Sequence, residues 1–159
     1  PSLDVNQKNS AGVSGLYLAC SNGYGEIVQE ILKMDSVEVN VLGSYTTLNG
    51  EKCKNTTTPL HVALSNREYD VARKLFTDPR VDLNAPGHLG TPLQEACRRA
   101  NIEVINLLLD QNSIDLNGVS SICCQTPLYI AAMNSSPEVV ERLLQDNRLD
   151  ATIQVEDLL

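Results

Sequence analysis

Apolar and polar positions follow one another along this chain in a beat that returns every 33 to 35 residues. Each beat holds a short run with apolar residues on one helical face, such as Leu60 with Ala63 or Leu93 with Ala96, and then a longer amphipathic run. In the longer runs Val71, Leu75 and Phe76, or Val104, Ile105, Leu108 and Leu109, form a stripe at i, i+3 and i+4. That spacing predicts two amphipathic helices per beat. Neither helix can bury its stripe alone, so the beat implies stacked copies, with at least about three needed for stability.

The short runs open on near copies of one motif: Thr58-Pro59-Leu60-His61-Val62-Ala63, Thr91-Pro92-Leu93-Gln94-Glu95-Ala96 and Thr126-Pro127-Leu128-Tyr129-Ile130-Ala131. Proline at the first helical position sacrifices no hydrogen bond, and a threonine before it can cap the free amides. Thr-Pro therefore reads as three helix starts. A degenerate fourth copy lies upstream, at Ser14-Gly15-Leu16-Tyr17-Leu18-Ala19 followed by Glu26-Ile27-Val28-Gln29-Glu30-Ile31-Leu32. The predicted first helices cover 14–21, 58–65, 91–99 and 126–134, and the second helices 25–34, 68–77, 102–111 and 137–146. The copies close on Glu38-Val39-Asn40, Asp82-Leu83-Asn84, Asp115-Leu116-Asn117 and Asp150-Ala151-Thr152.

This pattern resembles the ankyrin repeat, and the resemblance covers essentially the whole chain. Its departures are local: Gly15 stands where the family places proline, His61 is the one histidine kept in the motif, and Thr152 replaces the last asparagine. The expected fold class is all-α, a solenoid of helix-turn-helix pairs with β-hairpin loops, in one domain of repeats at about 7–40, 41–84, 85–117 and 118–152. Leu3-Asp4-Val5-Asn6 looks like the tail of a preceding repeat, so the expectation is a piece of a longer protein.

The linker from Asn40 to Thr58 is 18 residues, against 7 from Asn84 to Thr91 and 9 from Asn117 to Thr126. The surplus, 42–57, carries Asn49-Gly50 between β-prone runs, the signature of a two-residue type I′ hairpin. A two-residue loop there pairs Thr46 with Cys53 and Tyr45 with Lys54, and puts Tyr45 and Lys52 on one face. A tolerated surface insertion is the alternative.

Composition narrows the chemistry. A net charge of −8 and a pI of about 4.6 argue against nucleic acid or an anionic membrane as partner. No run of about 18 apolar residues predicts a membrane-spanning helix. Five cysteines and two histidines lack metal-ligand spacing, so no metal and no cofactor are expected. Cys20 and Cys97 fall on buried helix positions, and vicinal Cys123-Cys124 reads as two free thiols. His61 has Thr58 as a natural partner, while His88 sits at a loop tip. With no phosphate loop, nucleophile elbow or carboxylate pair, the chain reads as no enzyme. The unpatterned cysteines suit an intracellular setting, cytoplasmic or nuclear.

What the resemblance implies is a protein-interaction module that takes a protein or peptide across the ends of its first helices and its loop tips. The alternative is a substrate-recruiting or scaffold domain of a larger enzyme or effector. The helix-end row is Ser21-Asn22, Ser65-Asn66, Arg98-Arg99 and Met133-Asn134. Arg98 and Arg99 stand out, because guanidinium groups pair with carboxylates and stack on rings. The expected partner presents an acidic or aromatic segment to them, framed by Asn66 and Met133, with His88, Tyr45 and Lys52 at the rim; the alternative pairs an arginine with Glu95 or Glu103 of its own repeat. The resemblance also implies asparaginyl hydroxylation at Asn40 and Asn117, against the simpler reading that asparagine closes its own turn.

Overall fold

In the computed structural model, residues 4–46, 52–119 and 124–152 are described. They form eight helices and one two-stranded sheet, divided into two compact units, 1–88 and 89–159. Unit 1 holds α1 (Gly15–Ser21), α2 (Gly25–Leu32), β1 (Gly43–Thr46), β2 (Lys52–Thr57), α3 (Pro59–Ser65) and α4 (Tyr69–Phe76). Unit 2 holds α5 (Pro92–Arg98), α6 (Ile102–Leu109), α7 (Pro127–Met133) and α8 (Pro137–Leu144). Each unit is thus two repeats, and within it first helix packs on first helix and second on second: α1 on α3 and α2 on α4, then α5 on α7 and α6 on α8.

The first helices start where the hydroxyls stand. Ser14, Thr58, Thr91 and Thr126 each accept from the third helical amide, at 3.2, 3.4, 3.3 and 3.2 Å. Ser14 does this without a proline behind it, which explains why Gly15 is tolerated. Alanines 19, 63, 96 and 131 are all buried on these helices, and a side chain no larger lets the paired helices approach. Leu16, Leu60, Val28 and Leu75 fill unit 1, while Ile105, Leu108, Ile130 and Leu143 fill unit 2, all at most 2% exposed.

The second helices stop one or two residues short of the predicted ends. Met34, Asp78, Gln111 and Asp146 donate their amides to Ile31, Leu75, Leu108 and Leu143, three residues back, so the last turn tightens before the chain leaves the helix. Cys20 and Cys97 are fully buried, and burial pushes both thiols up to about 12. Cys124 is a free thiol as expected; Cys123 lies outside the described residues.

The insertion is a hairpin, but its register is one residue from the expected one. Thr46 pairs with Lys52 and Tyr45 with Cys53, not with Cys53 and Lys54. The face shared by Tyr45 and Lys52 was inferred from the other register and does not follow from this one. The base of the hairpin is held by helix α1: Tyr17 reaches Thr57 with its hydroxyl at 2.8 Å, and its ring packs so closely on Gly43 that a Cβ there would collide with it. With Gly43 set opposite Thr57, two steps on β1 meet four on β2, an irregularity of the bulge kind. The turn at Asn49-Gly50 lies outside the described residues.

Candidate functional site

The helix-end row divides between the units. In unit 1 it is occupied by hydrogen bonds within the fold. Asn66 donates its amide to the Ser21 carbonyl at 2.8 Å and to the Ser21 hydroxyl at 3.3 Å, and Asn22 donates to Leu18 of its own helix at 2.7 Å. Asn66, expected as a frame for a partner, is therefore a tie between neighbouring repeats.

In unit 2 the corresponding tie runs from Asn134 to the Arg98 carbonyl at 3.2 Å, which brings the ends of α5 and α7 side by side. Arg98 is half-buried there, and Met133 is 53% exposed next to Tyr129 at 52%. Gln125 approaches the Met133 sulfur at 3.9 Å. Arg99 follows the alternative of a pairing within its own repeat: its Nε donates to Glu95 at 3.1 Å and its terminal nitrogen stands 2.9 Å from the same carboxylate. Glu95 is one helical turn back and almost buried, so it holds the guanidinium against its own helix. What stands outward in unit 2 is Tyr129 and Met133, with the half-buried Arg98 and the Arg99–Glu95 pair beside them.

Tyr129 was missed in the sequence. The third position of a first helix carries Tyr17, His61, Gln94 and Tyr129, and the first three are buried. Tyr17 bonds Thr57, Gln94 donates to the carbonyls of Gly118 and Gln125 at 2.8 and 3.0 Å, and His61 bonds Thr58 at 2.9 Å with Gly87 pressed against its ring. The readable signal was the motif itself, whose fourth residue, the third of the helix, ties α1, α3 and α5 to the loop that follows.

His88 is exposed at the end of unit 1, and Tyr45 and Lys52 lie on β1 and β2 of that unit. The side chains of Tyr45 and Lys52 are outside the described residues. Asn40 and Asn117 do not close their own turns. Asn40 donates to the Arg80 carbonyl and accepts from the Asp82 amide, both at 2.8 Å, and Asn117 does the same with Arg148 and Asp150 at 2.9 and 2.8 Å.

A second tie was not foreseen. Arg80 grips Asp78 through two nitrogens and donates to the carbonyls of Leu32, Met34 and Asp35 at the end of α2. Arg148 repeats this with Asp146 and the carbonyls of Leu109 and Gln111 at the end of α6. A cation at a helix C-terminus satisfies carbonyls that have no partner in their own helix. The hydrogen bonds from Arg148 hold the Asp146 carboxyl down at about 2, and those from Arg80 lower Asp78 in the same way.

Among the described residues no group of three histidine, cysteine or acidic side chains is placed to hold a metal ion, and no helix is long and apolar enough to cross a membrane. Sequence models described as "Ankyrin repeats (3 copies)" and "Ankyrin repeats (many copies)" match residues 2–86 and 93–144. The tyrosine-protein kinase HTK16 of Hydra vulgaris is 30% identical over 83% of this chain and 16% of its own length. SMC5-SMC6 complex localization factor protein 1 is 39% identical in Homo sapiens and 33% in Bos taurus, each over 63% of this chain and 9% of that protein. The chain thus spans less than a fifth of the curated relatives it matches.

Proposed function

Since the chain belongs to the ankyrin repeat family, whose repeats generally mediate protein–protein interaction, we propose that it is a non-catalytic module that takes its partner on the helix ends of unit 2. The observation that carries this reading is the exposure of Tyr129 and Met133 on α7, beside the end of α5 at Arg98, where the residues at the position of Tyr129 in unit 1, Tyr17 and His61, are buried. Aromatic, methionine and arginine side chains are the residues enriched at interface anchors. The partner they fit presents a carboxylate to Arg98 and an apolar or aromatic side chain to Tyr129 and Met133. Substituting Arg98→Ala and Met133→Ala together should weaken such a partner at least tenfold, with affinity falling as salt is raised. Unchanged affinity for a partner that binds the wild type would remove the site.

A second reading, recruitment within a larger effector, has the support that the matched relatives are far longer than the aligned segment and that one is a tyrosine-protein kinase. An intracellular setting is supported by the free thiols of Cys20, Cys97 and Cys124. Hydroxylation of Asn40 and Asn117 belongs to the proposal as well. Intact mass of protein from a hydroxylase-containing cell tests it, and the absence of an added oxygen would remove it.

A further inference from the structure

A serine or threonine stands directly before proline four times in the chain, at Thr58-Pro59, Thr91-Pro92, Thr126-Pro127 and Ser136-Pro137. The fold closes three of them. Thr58, Thr91 and Thr126 each spend the side-chain oxygen on capping the helix that follows, and none of the three is exposed. Ser136 precedes α8 in the same way, yet its side chain makes no capping hydrogen bond. Its hydroxyl donates to the Asn134 carbonyl at 3.4 Å, too long for a strong hydrogen bond.

The chain around Ser136 is open. Residues 132–138 are exposed apart from the half-buried Ser136 itself. The ring of a proline holds the residue before it out of the helical region, and Ser136 stands accordingly at φ −105° and ψ 82°, on the extended side. The amides of Ser135 and Ser136 fasten the turn to the carbonyls of Ala132 and Ala131 at 3.1 and 3.3 Å. Ser135 sits in that turn at φ 52°, a conformation whose strain is relieved when the turn opens. Pro137 marks the place for an enzyme, since a ring without an N–H suits an apolar pocket that other residues fit poorly.

We propose that Ser136 is a phosphorylation site for a proline-directed serine kinase, and that its phosphate lowers the affinity of the unit 2 helix ends for an acidic partner. The kinase passes the γ-phosphoryl group of ATP to Oγ: the bond from that phosphorus to ADP breaks, ADP leaves, and the serine proton goes to the base of the kinase. The product carries a charge of about −1.5 to −2 at neutral pH. It follows closely on Met133 and on Asn134, whose side chain is bonded to the Arg98 carbonyl. A carboxylate brought to Arg98 meets that charge. The effect on affinity rests on the reading of the helix ends as the binding surface; the modification does not.

The test incubates the folded protein with ATP and a purified proline-directed kinase, beside four unfolded peptides that each carry one of the dipeptides, and maps phosphate by tandem mass spectrometry. In the protein Ser136 should react at least tenfold faster than Thr58, Thr91 or Thr126, and Pro137→Ala should slow it at least tenfold. No phosphate on Ser136 would overturn the proposal, whether or not its peptide reacts. Equal rates at the four sites of the folded protein would do so too, because the fold would then select nothing. The charge effect is read by titrating a synthetic peptide with glutamates around one tryptophan against both forms. The phosphorylated form should bind at least tenfold more weakly, with the difference shrinking as salt is raised. Equal affinities would remove the regulation. If neither form binds, the helix-end reading and the charge effect fall together, while phosphorylation of Ser136 stands on the mass spectra.

Discussion

Arg67, Ala100 and Ser135 have φ of 64°, 49° and 52°, in the left-handed region that Gly23 occupies at 71° in the corresponding turn of repeat 1. Left-handed backbone costs a non-glycine residue roughly 1–2 kcal/mol, more than glycine loses through its freer unfolded chain. Ala100→Gly should therefore stabilise by about 0.5–1 kcal/mol, read as a higher urea midpoint. Gly23→Ala should do the reverse, because a side chain at its φ of 71° is strained. Arg99 belongs to the same scale. Its removal takes a partner from nearly buried Glu95, so Arg99→Ala should lower stability by about 1 kcal/mol, while Arg98→Ala is the change expected to act on binding. The sequence marked the arginine pair and offered Glu95 or Glu103 as a partner for one of them, but not which arginine would be held. Glu95 was legible as one helical turn from Arg99; that it would be buried and hold the guanidinium depends on packing.

Helix starts were legible because their cause is local: a hydroxyl, then proline, then a stripe. Helix ends were less so. The carbonyls that end α2 and α6 are satisfied by Arg80 and Arg148, roughly forty residues further along the chain, and no window around the helix contains them. The hairpin shows the same limit, since its strands were readable from β-prone runs while its register is anchored by a tyrosine 40 residues away from Thr57. The arginine ties make a prediction at this scale. Arg148→Ala should lose about 1–3 kcal/mol, as hydrogen bonds to charged groups do. The folded Asp146 carboxyl sits at about 2, below its unfolded value near 3.9, so it binds fewer protons folded than unfolded across that window. Its stabilisation is complete above about pH 5 and is lost as pH falls through about 2. Thermal melts from pH 6 to 2 should therefore decline less steeply in Arg148→Ala than in wild type; parallel curves would contradict the tie.

Over the whole chain the repeat beat announced the family, and both units obey it: the same asparagine and arginine ties recur in each at the same positions. What the beat does not announce is which surface is left over after the ties are made. Asn66 was expected to frame a partner and is consumed by the fold, as His61 is by the pairing with Thr58 that the sequence suggested, whereas Tyr129 and Met133 remain outward. The most direct measurement is quantitative affinity capture from cells of the source organism, comparing wild type with a variant carrying Arg98→Ala, Tyr129→Ala and Met133→Ala, after melts have shown both to be folded. A partner held by the wild type should be lost from the variant at least tenfold, and that loss should persist when the captured protein is purified and titrated alone. Recovery of the same partners at the same affinity would contradict the assignment of binding to the helix ends of unit 2.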